Sequence, residues 1–173
     1  MLREIIESDW SAIHEYASQE IVCQYQVWGP NSVEDTKAYV DQVMKDTRIK
    51  PRTRYVFAII NNDDKHLAGV GELIIRDPQN RNAEIAYIIN PAYWGKGLAT
   101  EAAGLLIHYG FEEHRMHRIF ATCAPENIAS SKVLKKSGMV YEGRLRENLL
   151  IGEKWRDSMI YSVLKNEWKA DAY

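Results

Sequence analysis

Gly95-Lys96-Gly97 joins a run of strand formers to a stretch with helical periodicity, and this junction is the first place where the sequence could do chemistry. Glycines let a backbone approach a ligand closely, and the start of the following helix offers unpaired N–H groups with a partial positive charge. Together they make an anion site, although a plain helix-entry turn uses the same residues. Spacing narrows the choice of anion. A P-loop needs two glycines spanning four residues and followed by Lys and Ser/Thr, a pattern the chain lacks. A dinucleotide fingerprint needs a third glycine or alanine at position 100, where Thr100 stands, and it opens a series of parallel strand-helix units. Upstream, Glu84 begins the strand that leads into the turn, and Glu72 lies on the strand before it. Either carboxylate could draw a proton through water if burial raised its pKa, and either could equally be a surface or salt-bridged strand carboxylate. His108, His114 and His117 form neither HExxH nor a compact ligand set, so no metal is expected.

Those groups need elements to position them. Leu2 to Ile6 reads as a short strand, and Ser8 or Asp9 caps a helix carrying Trp10, Ile13, Tyr16 and Ala17, ending near Ser18. Gln24 to Asn31 contains Gly-Pro and reads as a loop, after which Ser32 caps a helix with early acids Glu34 and Asp35. Tyr55 to Ile60, Leu67 to Arg76 and Ala83 to Ile89, separated by turn formers, read as an antiparallel meander. A helix from Leu98 to Glu113 follows the glycine turn, with Ala99, Ala102, Ala103, Leu106 and Gly110 near one face, small enough to lie close to a sheet. Arg118 to Cys123 is a strand, Ile128 to Lys136 a helix ended by Gly138, and two strands flank Gly152-Glu153. The charged tail from Lys165 to Tyr173 is expected to be peripheral. The order β-α-α-β-β-β-α-β-α-β-β is an α+β arrangement with one central β-α-β crossover.

The 173 residues, 46% hydrophobic and 27% charged, suit one domain spanning 1–173. A formal net charge of -2 with scattered charges leaves no basic face for nucleic acid, which favours a small or peptidic partner. Cys23 and Cys123 fit neither a disulfide framework nor a CxxC site and are read as reduced thiols of a cytoplasmic protein. No apolar run approaches the length of a signal peptide or a membrane span.

Tyr93-Trp94-Gly95-Lys96-Gly97-Leu98-Ala99-Thr100-Glu101-Ala102 resembles the cofactor loop of the GNAT N-acetyltransferases. The family pattern is Gln/Arg-x-x-Gly-x-Gly/Ala; Gly97 and Ala99 fill its second and third marks, while Trp94 replaces the first, as is usual in the RimJ/RimL-like branch. Asn127 to Met139 resembles that branch's Asn-x-x-Ser helix. The resemblance, over Glu84 to Leu164, implies a mixed, mostly antiparallel sheet of about seven strands flanked by about four helices. It also implies acetyl-CoA as cosubstrate and a primary amine as acceptor, either a small molecule or a protein N-terminus such as that of a ribosomal protein.

Carried over residue by residue, the resemblance gives the pyrophosphate to the backbone of Gly95, Lys96, Gly97, Leu98, Ala99 and Thr100, beside Trp94. It gives the rest of CoA to Ile88, Ile89, Asn90, Asn127, Ser130 and Lys132. Many family members protonate the leaving thiolate with a Tyr seven residues after the Asn, a position held here by Leu134, so Ser130 is the candidate for that role. A helix-capping hydroxyl is the alternative for Ser130, as helix capping is for Asn127. Glu84, with Glu72 as runner-up, is the candidate base, and Tyr25, Trp28, Tyr87, Trp155 and Arg156 are the candidate acceptor wall, scattered aromatics being otherwise core. Leu134 also leaves open a non-catalytic acyl-CoA sensor. A homodimer is compatible with the chain, since the last strands pair in relatives.

Overall fold

A short strand, β1 (Leu2–Glu4), precedes three helices: α1 (Trp10–Ala17), the four-residue α2 (Glu20–Cys23) and α3 (Val33–Asp46). Three strands follow, β2 (Arg54–Ile60), β3 (Leu67–Asp77) and β4 (Asn82–Ile89). The crossover helix α4 (Leu98–Glu112) leads to β5 (Arg118–Cys123), and α5 (Ile128–Lys136) leads to a hairpin of β6 (Val140–Ile151) and β7 (Lys154–Leu164). The computed structural model describes residues 1–169, and the end of the expected peripheral tail, 170–173, lies outside the described residues.

The strands form one seven-stranded sheet in the order β1-β2-β3-β4-β5-β7-β6. Every neighbouring pair is antiparallel except β4 and β5, as one crossover in a meander requires. The α+β expectation holds, with one helix more than expected. The additional helix is α2, whose four residues make barely one turn, too short for a periodic signal; Val22 and Cys23 are buried and hold the turn in place. Gln24 to Asn31 remains irregular. The tail departs from expectation: Trp168 folds back onto the core, its ring centre 6.1 Å from that of Phe111.

Successive residues along a strand point to opposite faces, and the sheet therefore carries two cores. On one face Phe57, Leu73 and Ile85 pack with Leu106, Ile107 and Phe111 of α4. On the other, Val56, Ala58 and Val70 pack with Ile13 and Tyr16 of α1 and Val40 and Val43 of α3. A capping box starts α3: Ser32 Oγ accepts from the Asp35 N–H at 3.1 Å while Asp35 accepts from the Ser32 N–H at 3.0 Å. Ala102 and Ala103, almost wholly buried, let α4 lie close to the sheet. Among the described residues, no helix is long and apolar enough to cross a membrane.

One irregularity matters for function. The parallel pairing of β4 with β5 runs only through Asn82–Arg118, Ala83–Ile119 and Glu84–Phe120. Beyond Glu84 the strands part, while β4 stays paired with β3 as far as Gly69–Ile89 and β5 with β7 as far as Cys123–Met159. At the open end β4 presses onto β3: a Cβ on Gly69 would sit 2.1 Å from the Ile88 carbonyl oxygen and 3.0 Å from the Ile89 Cα. Only glycine permits that approach. Gly69→Ala is therefore expected to lower stability by about 1–3 kcal/mol, as overpacking against backbone does. Gly71→Ala, whose Cβ would meet the end of the Leu106 side chain at 3.0 Å, should cost less. Urea midpoints of the two variants check the order.

Candidate active site

The anion-binding expectation rests on the turn between β4 and α4. Asn90 is buried, and its side chain accepts from the Ala92 N–H at 3.1 Å, capping a single 3-10 turn at Pro91–Tyr93. The chain then reverses through Gly95 and Gly97, at φ of +76° and +83°, a region L side chains rarely enter. Gly97 sits directly before the first turn of α4, and its carbonyl accepts from the N–H groups of Thr100 at 2.9 Å and Glu101 at 3.1 Å. From Gly95 to Ala99, no backbone N–H has a backbone partner among the described residues, as at any helix start. Beyond the adjoining residues of the chain, nothing lies within 4 Å of where a Cβ would stand at either glycine, so the turn is open to a ligand.

From this turn a cleft of about 1410 Å³ runs into the gap between β4 and β5. It reaches both faces of the sheet, because alternation sends Glu84, Ala86 and Ile88 toward α1 and α3, and Ile85, Tyr87 and Ile89 toward α4 and α5. Trp94, Gly95, Gly97, Leu98, Ala99 and Thr100 line it from the turn, and Asn127, Ser130 and Lys132 from α5. Lys96 and Asn90 do not line it. Asn90 is spent on its cap, and Lys96 lies with Nζ 5.0 Å from the Tyr93 ring centre, facing water. The edge of β4 at the gap has one carbonyl already engaged, since the Trp94 indole donates to the Ile89 oxygen at 2.7 Å.

On the α5 side two hydroxyls meet. Tyr87 Oη and Ser130 Oγ are 3.0 Å apart, and the Asn127 side chain accepts from the Ser130 N–H at 3.0 Å, which caps α5. Burial pushes the Tyr87 phenol well above its usual range, against the opposite pull of the Ser130 hydrogen bond, so the phenol stays protonated. The expectation that Tyr87 joins Tyr25 and Trp28 in one wall is corrected: β4 alternation turns it to the other face. Leu134 is buried in the main core. Cys123, at the end of β5, also lines the cleft; burial raises its thiol pKa while Arg156 and Ser130 draw it down.

On the α1–α3 side the cleft is lined by Tyr25, Trp28, Glu72, Glu84 and Arg156. Trp155 is not among them: it alternates with Arg156 on β7 and is 60% exposed. Arg76 binds Glu84 through Nε at 2.8 Å and Nη2 at 2.7 Å, both on Oε2, leaving Oε1 with no hydrogen bond among the described residues. Glu72 is more encumbered. Tyr39 donates to its Oε1 at 3.0 Å, and Arg54 reaches it at 2.8 Å and 3.3 Å while also pairing with Asp46 at 3.0 Å. Burial and the charge of Glu72 hold the Tyr39 phenol well above its usual range. Sequence reasoning missed Tyr39, Arg54 and Cys123, which reach the cleft only through tertiary packing and carry no local motif.

A family model described as an acetyltransferase (GNAT) domain matches residues 1–140. The uncharacterized N-acetyltransferase YnaD of Bacillus subtilis (strain 168) is 37% identical over 169 residues, 97% of this chain and 95% of that protein. The spermidine N(1)-acetyltransferase of Escherichia coli (strain K12) is 28% identical over 171 residues, 98% of this chain and 88% of that protein. Among solved structures, a GNAT-family acetyltransferase from Bacillus anthracis superposes with a TM-score of 0.84 at 33% identity, covering 95% of this chain and 94% of that one.

Because space is free around the turn glycines, only their positive φ resists substitution. Gly97→Ala should then lower stability by about 1–2 kcal/mol, the cost of a left-handed L residue. Gly143→Ala, with equal space and ordinary φ, should stay within about 0.5 kcal/mol of the parent, as surface changes do. Chemical denaturation of both variants tests the difference.

Proposed function

The chain belongs to the GNAT acetyltransferases, and on that premise we propose that it transfers an acetyl group from acetyl-CoA to a primary amine by direct attack within a ternary complex. The acceptor is a small amine or a protein N-terminus, and the chain acts as a single domain, 1–173, of the RimJ/RimL-like branch. One observation carries this reading: the gap between β4 and β5, with the unpaired N–H groups of a helix start at its mouth, joins the two faces of the sheet. Two reactants entering from opposite faces would meet there.

The residues fit a pyrophosphate-bearing thioester. The free N–H groups from Gly95 to Ala99 and the N-terminus of α4 suit the pyrophosphate, with Thr100 beside them. Asn127 and Lys132 flank the rest, and the unladdered edge at Ile88 and Ile89 suits an extended arm carrying amides. Bound there, acetyl-CoA supplies an activated acetyl group and a thiol leaving group. The chain's own residues supply position and protons. Ser130 and Tyr87 share a hydrogen bond at the α5 side of the gap, where their hydroxyl protons face the place a thiol would leave, and burial keeps the Tyr87 phenol protonated. Glu84 is the better placed base, because its Oε1 is uncommitted whereas both oxygens of Glu72 are engaged. Tyr25 and Trp28 wall the acceptor side.

Both buried free thiols, Cys23 and Cys123, fit a reducing cytoplasmic setting. The edge strand β6, with exposed Val140, Tyr141, Leu145 and Leu150, supports a homodimer through that edge.

Purified protein given acetyl-CoA and pooled amines, ribosomal-protein N-terminal peptides included, should release free thiol only with pools that hold an acceptor. Binding without release from any pool would move the reading to the sensor, and no binding would remove it. Ser130→Ala and Tyr87→Phe should each lower kcat by about 100-fold, the scale of one proton transfer. Unchanged turnover in either variant takes that residue out of the relay. Glu84→Gln should abolish the acidic limb of the kcat/KM pH profile, because the base works only deprotonated; a surviving limb assigns the base elsewhere.

A further inference from the structure

Arg156 differs from the other part-buried charged groups of the cleft. Glu72 is paired with Arg54 and Glu84 with Arg76, and the rim acids Asp35 and Glu126 face water. Arg156 makes no ion pair among the described residues. Its Nη1 donates to the Tyr25 carbonyl at 2.5 Å and its Nη2 to Ser158 Oγ at 3.2 Å, two neutral acceptors that fix the guanidinium plane. Of the donors left over, the Nε–H is buried and has no partner. A buried donor left unpaired is costly, and native proteins satisfy nearly all of them.

The position of this cation is as telling as its missing partner. Strand alternation on β7 puts Tyr161 against Ser131 of α5, 2.7 Å between hydroxyls, and Arg156 on the opposite face, where it reaches the segment after α2. That is the acceptor side in the acetyl-transfer reading, on which the present inference rests. Arg156 is also near enough to the gap for its charge to act on the Cys123 thiol. A guanidinium pairs best with an oxyanion, and its Nε–H beside Nη2 forms the side-on fork that a carboxylate accepts with two oxygens.

We propose that the acceptor is an amine that also carries a carboxylate, and that the guanidinium of Arg156, which lines the cleft and is left without an ion pair, receives the carboxylate. The same cation disfavours polyamines. A second ammonium would meet Arg156, while Glu72 and Glu84, the part-buried carboxylates of that side, each already share their charge with an arginine. Free amino acids and peptides with acidic side chains near the N-terminus are the two sources of such an acceptor.

The test uses the full chain with acetyl-CoA. Its probes are the amino acids each paired with its carboxamide, Gly-Asp and Gly-Glu dipeptides paired with Gly-Asn and Gly-Gln, all four dipeptides amidated at the C-terminus, and spermidine. The carboxylate member of a pair should exceed its amide in kcat/KM by about 10- to 100-fold, the scale of a charge-assisted fork. Which pairs show the preference separates the free amino acid from the acidic peptide. Arg156→Gln and Arg156→Lys should erase the preference by raising KM for the acid by about 10- to 100-fold more than for its amide. Circular dichroism melts confirm that the variants fold. A parallel readout needs no turnover: with CoA present, carboxylate probes should raise the melting midpoint of the parent more than their amides do, and not that of Arg156→Gln. Equal use of acid and amide, spermidine as the best acceptor, or equal midpoint shifts would overturn the proposal even if acetyl transfer is real. Absence of acetyl-CoA binding would instead sink the transferase reading.

Discussion

A parallel strand pair that stops after Glu84–Phe120 leaves one edge of Ile85 to Ile89 inside the protein without a ladder, and the rest of the site depends on that interruption. Backbone N–H and C=O groups removed from water must find partners, so a gap in a sheet persists only where something compensates. Each strand keeps its other neighbour: β4 remains bonded to β3, and β5 to β7 through Cys123. Gly69 lets β4 lean onto β3, and the Trp94 indole takes the Ile89 carbonyl. What remains open is an edge of amide length and polarity, the shape that an extended ligand bearing its own amides would complete as a guest strand.

The interruption also divides the chemistry by face. Alternation along a single strand, β4, sends Tyr87 to the hydroxyl side and Glu84 to the charged side, so protonated phenol and carboxylate are neighbours in sequence but separated by the sheet. On the hydroxyl side burial favours neutral groups, and Tyr87 and Ser130 share a hydrogen bond without any charge. On the other side each carboxylate is paired with an arginine, which offsets the cost of partial burial. A reaction that takes a proton from one reactant and returns one to another is suited by such a division, since the two proton-handling groups are held where they cannot neutralise each other.

How much of this was legible in the sequence depends on the range of the signal. The meander, the crossover and the glycine turn rest on local patterns: period-two strands, small residues along α4, and the Gly95–Gly97 pair before a helix. These gave the fold class and the mouth of the cleft. The four-residue α2 was below the length at which periodicity speaks, and Trp168 looked peripheral because only tertiary packing brings it to Phe111. Side-chain direction on β7 was the harder matter. Trp155 and Arg156 are adjacent, and choosing which of them faces the cleft needs the register against β6, fixed by irregularities between Tyr141 and Gly143 and between Leu145 and Leu149 that no local pattern announces. The direction of the Lys96 side chain is a related case: Nζ lies 5.0 Å from the Tyr93 ring centre, and no local pattern announces it.

Leu134 bears on the proposed chemistry in a similar way. Read along the chain, an apolar residue where relatives carry Tyr suggests a missing proton donor, but a proton transfer requires an atom in a place and not a residue at a sequence position. Leu134 packs in the main core, while Tyr87 reaches α5 from the strand opposite and brings its hydroxyl within 3.0 Å of Ser130. A phenol on a sheet strand is held by ladder and core on both sides, so it is at least as well fixed as one on a short helix. A donor supplied by β4 would therefore be positioned by the same strand whose departure from β5 opens the gap, and the geometry of the proton and that of the cleft would be set together.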